Sequence, residues 1–144
     1  MRLDVLKSMK DKNLPAGIYV IDDEQLDNMI AKMLIKRINT DINVVTFNDG
    51  QTAIDQIVFL SETSPESLPD YIFLDINMPG MNGWQFLKAY ASRQIDRIKQ
   101  IHIYIISSSI DYNDIIKSKS NPLVYDFINK PLNAENLKTI LWAA

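Results

Sequence analysis

The sequence predicts an α/β fold in which a doubly wound parallel sheet carries helices on both faces. Short apolar segments alternate with helical patterns five times along the chain, and the connections between them are short. Several of the apolar segments lack the in-out alternation of a half-exposed strand. Such segments are typical of strands that helices cover on both sides.

Length and composition indicate one water-soluble domain. The chain has 144 residues, of which 47% are hydrophobic and 23% are charged. Its formal net charge of -3 argues against direct binding to nucleic acid. It has no cysteine, which excludes disulfides and thiolate ligands. Because no apolar run approaches the roughly 20 residues of a membrane span, we expect a cytoplasmic protein that does not insert into membranes.

Five apolar runs predict the strands. The run at 18–21 precedes a pair of acidic residues, the run at 43–47 is β-branched and aromatic, and the run at 71–74 ends at Asp75. The remaining two strands are predicted at 101–106 and 124–128. One strand therefore stands before each predicted helix, as a βα repeat requires.

The helices are predicted from apolar residues that recur every three or four positions. In the first helix these residues define one face, Leu26, Met29, Ile30, Met33, Leu34 and Ile38. Asp49 is expected to cap the second helix, whose buried residues are predicted to be Ala53, Ile54, Ile57, Val58 and Leu60. A loop is predicted over 61–69, and further helices over 83–93, over 111–120 and after a cap at Asn133.

Polar residues follow four of the predicted strands. Open parallel sheets bind ligands beyond the carboxyl ends of their strands. Because those ends meet at one edge, the fold would assemble residues that lie more than a hundred positions apart in sequence. The residues selected in this way are Asp22, Asp23, Asp75, Ser107 and Lys130.

The chemistry of this group favours Mg²⁺ and phosphate. Three carboxylates at one sheet edge repel one another unless a cation joins them. Hard oxygen ligands suit Mg²⁺, which in turn can bridge to a phosphoryl oxygen. A carboxylate can act as a nucleophile and form an aspartyl phosphate. A lysine and a hydroxyl opposite it would stabilise the remaining phosphoryl oxygens.

Each of these residues also has a purely structural interpretation. Asp23 fits a helix cap, and Asp75 fits a turn. Ser107 fits the start of a helix. Lys130 fits a solvated loop, and His102 fits a strand histidine better than a phosphodonor. For the site residues these interpretations must coincide at the ends of four strands, so we favour one shared site.

The same residues make the chain similar to the receiver family of two-component response regulators, known for regulating bacterial chemotaxis and transcription. The pair Asp22-Asp23, the segment from Asp75 to Gly83 (Asp-Ile-Asn-Met-Pro-Gly-Met-Asn-Gly), Ser107-Ser108 and Lys130-Pro131 match its pattern in order and spacing. The resemblance covers about residues 17–143. It implies a flavodoxin-like fold with strand order 2-1-3-4-5.

The resemblance also implies a role for each residue. Asp75 would be the phosphoacceptor, with Lys130 and Ser107 holding the phosphoryl group. Mg²⁺ would be bound by Asp23 and Asp75 directly, by Asp22 through water and by the backbone carbonyl of Asn77. Lys130-Pro131 would be a cis peptide, and Ser107 and Phe127 would form the switch. Ser107 stands where threonine is commoner in the family, and Phe127 replaces the frequent tyrosine.

We therefore expect a signalling switch rather than a metabolic enzyme. The phosphoryl donor would be a sensor histidine kinase or a phosphotransfer protein, and an unknown protein would be the downstream target. Residues 1–16 are expected to be an arm or an extra helix, and 17–144 the receiver, either standing alone or as a fragment. The alternatives are a Mg²⁺-dependent phosphohydrolase with an aspartyl-phosphate intermediate and a binding module that does not switch.

Overall fold

The five strands form a single parallel sheet in a computed structural model, which describes residues 15–108 and 111–143. The strands are β1 Gly17–Ile21, β2 Asn43–Phe47, β3 Tyr71–Asp75, β4 His102–Ser107 and β5 Val124–Asn129. Their order across the sheet is β2-β1-β3-β4-β5. The predicted fold and strand order are therefore confirmed. Most of the expected arm at 1–16 lies outside the described residues.

Six helices connect or follow these strands within the described residues. They are α1 Gln25–Ile38, α2 Gly50–Thr63, α3 Gly83–Ser92, the short α4 Ile95–Ile98, α5 Tyr112–Ser120 and α6 Ala134–Ala143. The predicted cap at Asp49 is confirmed, because its carboxylate accepts a hydrogen bond from the Thr52 N–H at 2.7 Å. The cap at Asn133 is confirmed by the Asn136 N–H, which donates to its side chain at 2.8 Å.

Two apolar cores lie on opposite faces of the sheet. Neighbouring strand residues point to opposite sides, so Ile72 belongs to one core and Phe73 to the other. Helices α2 and α3 cover the first face, whereas α1 and α6 cover the second. All five residues of β3 are buried, which explains why this strand reads as a continuous apolar run.

The predicted loop at 61–69 is wrong at its beginning. Helix α2 continues to Thr63, and a short 3₁₀ turn follows at Pro65–Ser67. The hydroxyls of Ser61 and Thr63 bond to the carbonyl oxygens of Val58 and Phe59, both at 2.7 Å, and so add local bonds within the helix. The helix ends just before Pro65, where the α conformation is disfavoured.

Helix α4 was not predicted. It contains four residues, too few for a three-and-four repeat to be visible. Gln94 precedes it in the left-handed conformation, with φ of 58°, and Ile95, the first residue of the helix, is buried. Ile95 belongs to the first core together with residues of α2 and α3. This burial depends on tertiary packing, which the local sequence pattern does not predict.

The apolar face predicted for α1 exists, but most of it is exposed. Leu34 and Ile38 pack against the second core, together with the buried Ala31 and Ile35. The other four apolar residues are exposed at 38–65%, Leu26, Met29, Ile30 and Met33. We call these four residues the α1 stripe. The sequence predicted the helix and its apolar face, and the fold shows that only part of that face is covered by the core.

None of the described helices combines the length and the apolar composition that a membrane crossing requires.

Candidate functional site

Three carboxylates meet at the carboxyl edge of the sheet. Asp22 and Asp23 follow β1, and Asp75 ends the neighbouring strand β3. One oxygen of each side chain lies within 4.8 Å of the others. Asp22 and Asp75 are buried, at 0% and 4% exposure. The predicted convergence of these three residues is therefore present in the fold.

Asp75 is difficult to ionise in this environment. Burial is the largest cause that raises the pKa of Asp75, and the negative charge of Asp22 is the second; together they raise it to about 7. The nearby charge of Lys130 and the Asn77 N–H, which donates to Asp75 Oδ1 at 3.3 Å, act in the opposite direction. A buried carboxylate with this pKa is the kind of group that functional sites contain.

Lys130 lies across the acidic cluster and is not a solvated loop residue. Its Nζ is 2.5 Å from Asp22 Oδ2, 3.0 Å from Asp27 Oδ2 and 3.7 Å from Asp75 Oδ2. Only 15% of its side chain is exposed. Burial opposes its charge, but the hydrogen bonds to Asp22 and Asp27 outweigh this effect and raise its pKa. The Lys130-Pro131 peptide bond is cis, as the resemblance implied.

Ser107 is the buried last residue of β4, not the first residue of a helix. The next described helix, α5, begins later and is capped by Asp111, whose carboxylate accepts from the Asn113 N–H at 2.9 Å. The carbonyl oxygen of Ser107 accepts a hydrogen bond from the Lys130 N–H at 2.9 Å. This bond holds the ends of β4 and β5 together, so Ser107 and Lys130 lie at the same edge as Asp75.

The segment after Asp75 turns tightly before α3 begins. The Gly83 N–H donates to the carbonyl oxygen of Ile76 at 2.9 Å, and Asn82 forms a capping box with Gln85. Asn77, the expected carbonyl ligand, is exposed within this turn. The side chain of Asp75 accepts the Asn77 N–H and so takes part in this turn, which agrees with the structural interpretation of Asp75. The same side chain also belongs to the acidic cluster.

Asp23 does not cap α1, because the cap position belongs to Glu24. The Glu24 N–H instead donates to Asp22 Oδ1 at 3.0 Å. The side-chain amide of the buried Asn28 donates to the Asp22 carbonyl oxygen at 2.8 Å and to the Phe47 carbonyl oxygen at 3.1 Å. These bonds fix the turn that carries Asp22.

Sequence reasoning missed Asp27 and Asn28. Both lie in the first turns of α1, where a polar residue normally suggests solvent exposure. No signal in the sequence singled them out, because only the fold shows which face of α1 meets the core. Asn28 occupies a position three residues before Ala31 and seven before Ile35, the residues that α1 buries, so it lies on the inward face of the helix. Beside Lys130, a cavity of about 300 Å³ is lined by Asp27, Ile30, Ser108 and Pro131, among others.

Phe127 is half-buried and packs against the first core. Its neighbour Tyr125 is 62% exposed and stacks on His102, with ring centroids 4.8 Å apart. His102 begins β4, at the opposite end of the sheet from Asp75, which agrees with the interpretation of a strand histidine. The Trp84 Nε1–H donates to Asp114 Oδ1 at 3.1 Å and so joins α3 to α5.

The sequence and the fold both match known proteins. A family model described as the response regulator receiver domain matches residues 18–141. The chain belongs to this family. It is therefore a receiver domain of the kind found in two-component signalling, and the resemblance seen in the sequence is confirmed.

Individual relatives are similar at moderate identity. A two-component response regulator from Cytophaga hutchinsonii superimposes with a TM-score of 0.78 at 26% identity, covering 86% of this chain and 92% of that one. The phosphorylated cyanobacterial phytochrome response regulator RcpA has a TM-score of 0.69 at 28% identity, covering 89% of each chain. The chemotaxis protein CheY of Pseudomonas aeruginosa is 26% identical, over 84% of this receiver and 89% of its own length. Some curated relatives are much longer, and the receiver spans 16% of one of them.

The donor atoms of the acidic cluster fit a hard divalent cation. Each of the three residues offers a carboxylate oxygen, and two of them are buried, where unpaired negative charges are costly. Mg²⁺ is bound in proteins by one or two carboxylates together with waters. The receiver therefore has an acidic cluster able to bind a metal ion, and its chemistry suits Mg²⁺.

Proposed function

We propose that this receiver is a phosphorylation-activated switch that accepts a phosphoryl group on Asp75 in the presence of Mg²⁺. One observation carries the proposal. The buried Asp75 carboxylate shares a cluster with Asp22 and Asp23, and the Lys130 ammonium lies 3.7 Å from its Oδ2. A nucleophile, a cation site and a positive charge for phosphoryl oxygens thus occupy one place.

Each residue has a defined part in the transfer. An oxygen of Asp75 forms the new P–O bond while the bond from phosphorus to the donor histidine nitrogen breaks, and the freed nitrogen keeps the electron pair. Mg²⁺ bound by Asp23 and Asp75, with the Asn77 carbonyl and Asp22 through water, would neutralise charge on the phosphoryl oxygens. Lys130 pairs with one of these oxygens, and the Ser107 hydroxyl donates to another.

The phosphoryl donor is proposed to be a sensor histidine kinase or a phosphotransfer protein that docks on the α1 stripe. Leu26, Met29, Ile30 and Met33 lie on one side of α1 and are exposed. Ile30 also lines the cavity beside Lys130, so the stripe extends to the phosphorylation site. An exposed apolar surface next to a reactive group is what a protein donor needs, because it must bring its phosphohistidine to Asp75.

The signal is proposed to leave the domain through β5 and α5. Phosphorylation adds about two negative charges beside Lys130 and Ser107. Ser107 would be drawn toward the phosphoryl group, and the half-buried Phe127 would move inward into the space near β4. The exposed Tyr125 and α5 would then present a different surface to a downstream protein target.

Treatment with acetyl phosphate tests this function. The parent should gain one phosphoryl group in Mg²⁺ and none in EDTA, as read by mass spectrometry. Asp75→Asn, which has nearly the same volume, should fold and gain none. A phosphoryl group found on His102 or on a serine in the Asp75→Asn variant would contradict the assignment.

Two further measurements, phosphatase activity and the structural change on phosphorylation, separate the two alternatives. A phosphohydrolase would release phosphate continuously from an added phosphomonoester such as p-nitrophenyl phosphate. That class of enzyme usually needs a second acid two residues after the nucleophile, and this receiver has Asn77 there. A binding module that does not switch would either remain unmodified or take up phosphate without changing its structure.

A further inference from the structure

Lys130 has a carboxylate partner that lies outside the acidic cluster. Asp27, in the first turn of α1, places its Oδ2 3.0 Å from Lys130 Nζ. Asp22, the nearer partner, belongs to the cluster of three carboxylates, whereas Asp27 does not. Lys130 is thus held from two sides, by one cluster member and by one residue of the neighbouring helix.

The position of Asp27 has a simpler explanation, which accounts for only part of the observation. A carboxylate in the first turn of a helix is stabilised by the helix dipole. The helix dipole would stabilise the Asp27 carboxylate even if the side chain pointed into solvent. Here the side chain is 42% exposed and turns toward a lysine whose own side chain is 15% exposed. The contact with Lys130 therefore needs a second reason.

We propose that Asp27 is a positioning residue that keeps the Lys130 ammonium beside Asp75 for phosphoryl binding. This inference rests on the proposed function of Asp75. Three N–H groups are available on a lysine. Lys130 gives two of them to Asp22 and Asp27, which leaves the third for the side of the site where Asp75 lies, 3.7 Å away.

Electrostatics gives Asp27 a function that Asp22 does not share. Asp22 lies within the cluster that would bind a cation, so its negative charge would be divided between that cation and Lys130. Lys130 and a bound cation also repel each other, because both are positive. Asp27 lies outside the cluster, so its negative charge attracts Lys130 without being shared with the cation. This attraction opposes the displacement of the ammonium toward solvent.

A double-mutant cycle on beryllofluoride binding tests this role. Beryllofluoride with Mg²⁺ mimics the aspartyl phosphate, and its affinity is followed through amide NMR shifts near Asp75. Asp27→Asn should weaken binding by about threefold to tenfold, the range of a coupled charge pair. In a Lys130→Ala background the same substitution should change binding by less than about twofold, because the group that Asp27 positions is absent.

Two further variants separate positioning from a general loss of charge. Glu24→Gln removes a negative charge from the same end of α1, at an exposed side chain, and should leave binding unchanged. Asp27→Glu keeps the charge and should recover part of the affinity lost in Asp27→Asn. Amide spectra of each variant verify that it is folded.

The outcomes distinguish this inference from the proposed function. If Asp27→Asn binds beryllofluoride as well as the parent does, or loses as much affinity in the Lys130→Ala background, Asp27 does not act through Lys130. A parent that fails to bind beryllofluoride at all would instead overturn the proposed function, and this inference with it.

Discussion

Gly83 lies directly against the backbone of Asp75. A methyl group at Gly83 would come within 2.7 Å of the Asp75 carbonyl oxygen and 2.8 Å of the Ile76 Cα atom. Both neighbours are backbone atoms in the segment that carries the proposed phosphoacceptor, so they cannot yield as a flexible side chain would. The absence of a side chain at Gly83 therefore lets the start of α3 pack against the backbone of Asp75 and Ile76.

Gly83→Ala should destabilise the receiver by about 1–3 kcal/mol, the usual range for forcing a methyl group into a packed site. Urea unfolding of the parent and the variant measures this difference. Gly17→Ala is the control, because a methyl group there would meet Pro69 and Asn43 at ordinary distances of 3.7 and 3.8 Å. The control should change stability by less than about 1 kcal/mol. Equal effects of the two substitutions would contradict the close packing inferred at Gly83.

Asp75 should make the stability of the receiver depend on pH. Its folded-state pKa of about 7 lies above the ordinary value of 3.8, since burial and the charge of Asp22 disfavour ionisation. Its contribution is thus fully present below pH 3.8 and is lost as the pH rises through about 7. The size of the loss has an upper limit of about 4 kcal/mol.

Asp75→Asn removes this titration. In EDTA, the variant should be more stable than the parent at pH 8, and the difference should disappear toward pH 4. Urea unfolding at a series of pH values measures it. A stability difference that does not change between these pH values would show that Asp75 is ionised normally in the folded receiver.

Asp23 should be required for Mg²⁺ binding. Asp23→Ala is expected to lower the affinity for Mg²⁺ by at least about tenfold, since it removes one of the few charged ligands. Titration followed by Trp84 fluorescence or by amide shifts near Asp75 gives the affinity. Asp41→Ala removes an equal charge at an exposed position between α1 and β2 and should leave the affinity unchanged. Retention of Mg²⁺ affinity by Asp23→Ala would remove Asp23 from the proposed ligands.

The α1 stripe should affect phosphoryl transfer to the receiver only when the donor is a protein. Met29→Glu places a charge in the middle of the stripe, where the parent side chain is 61% exposed. Transfer from a cognate histidine kinase or phosphotransfer protein should fall by about tenfold, whereas labelling by acetyl phosphate should not change. Phe59→Glu on α2, where the side chain is 59% exposed, is the matched control. If both substitutions impair transfer equally, the stripe is not the docking surface.

Phosphorylation should alter the side of the receiver that carries β5 and α5. Amide shifts on beryllofluoride binding should extend from Asp75 through Ser107 to Phe127, Tyr125 and α5. Converting such an equilibrium from 1:99 to 99:1 takes about 5.5 kcal/mol, and a partial shift takes less. Phe127→Ala should bind beryllofluoride but lose the shifts at Tyr125 and α5. If the shifts of the parent remain close to the acidic cluster, the receiver binds phosphate without switching.

The contacts of Trp84 offer a second way to follow this change. Its indole N–H is bonded to Asp114 in α5, and Lys117 of the same helix lies over its ring, with Nζ 5.6 Å from the centroid. A movement of α5 should therefore change Trp84 fluorescence when beryllofluoride binds. Asp114→Asn, which weakens the bond, should reduce that change.

Much of the architecture was predictable from the sequence, because local pattern and global fold agree there. Buried parallel strands must be apolar on both faces, so β3 reads as an uninterrupted apolar run that ends in Asp75. The carboxyl ends of parallel strands share one edge, so Asp22, Asp75, Ser107 and Lys130 had to converge once the strands were placed. These conclusions need only the order of the elements along the chain.

Only the tertiary structure determined which surfaces of the helices are buried and which charged side chains pair with one another. The apolar repeat of α1 predicted a helix, but it could not show that Ala31 and Ile35 face the core while Leu26 and Met29 face solvent. Only the folded chain brings Asp27 to within 3.0 Å of Lys130, since the two residues are 103 positions apart. A sequence pattern records the periodicity of one element, whereas packing and charge pairing are properties of two elements together.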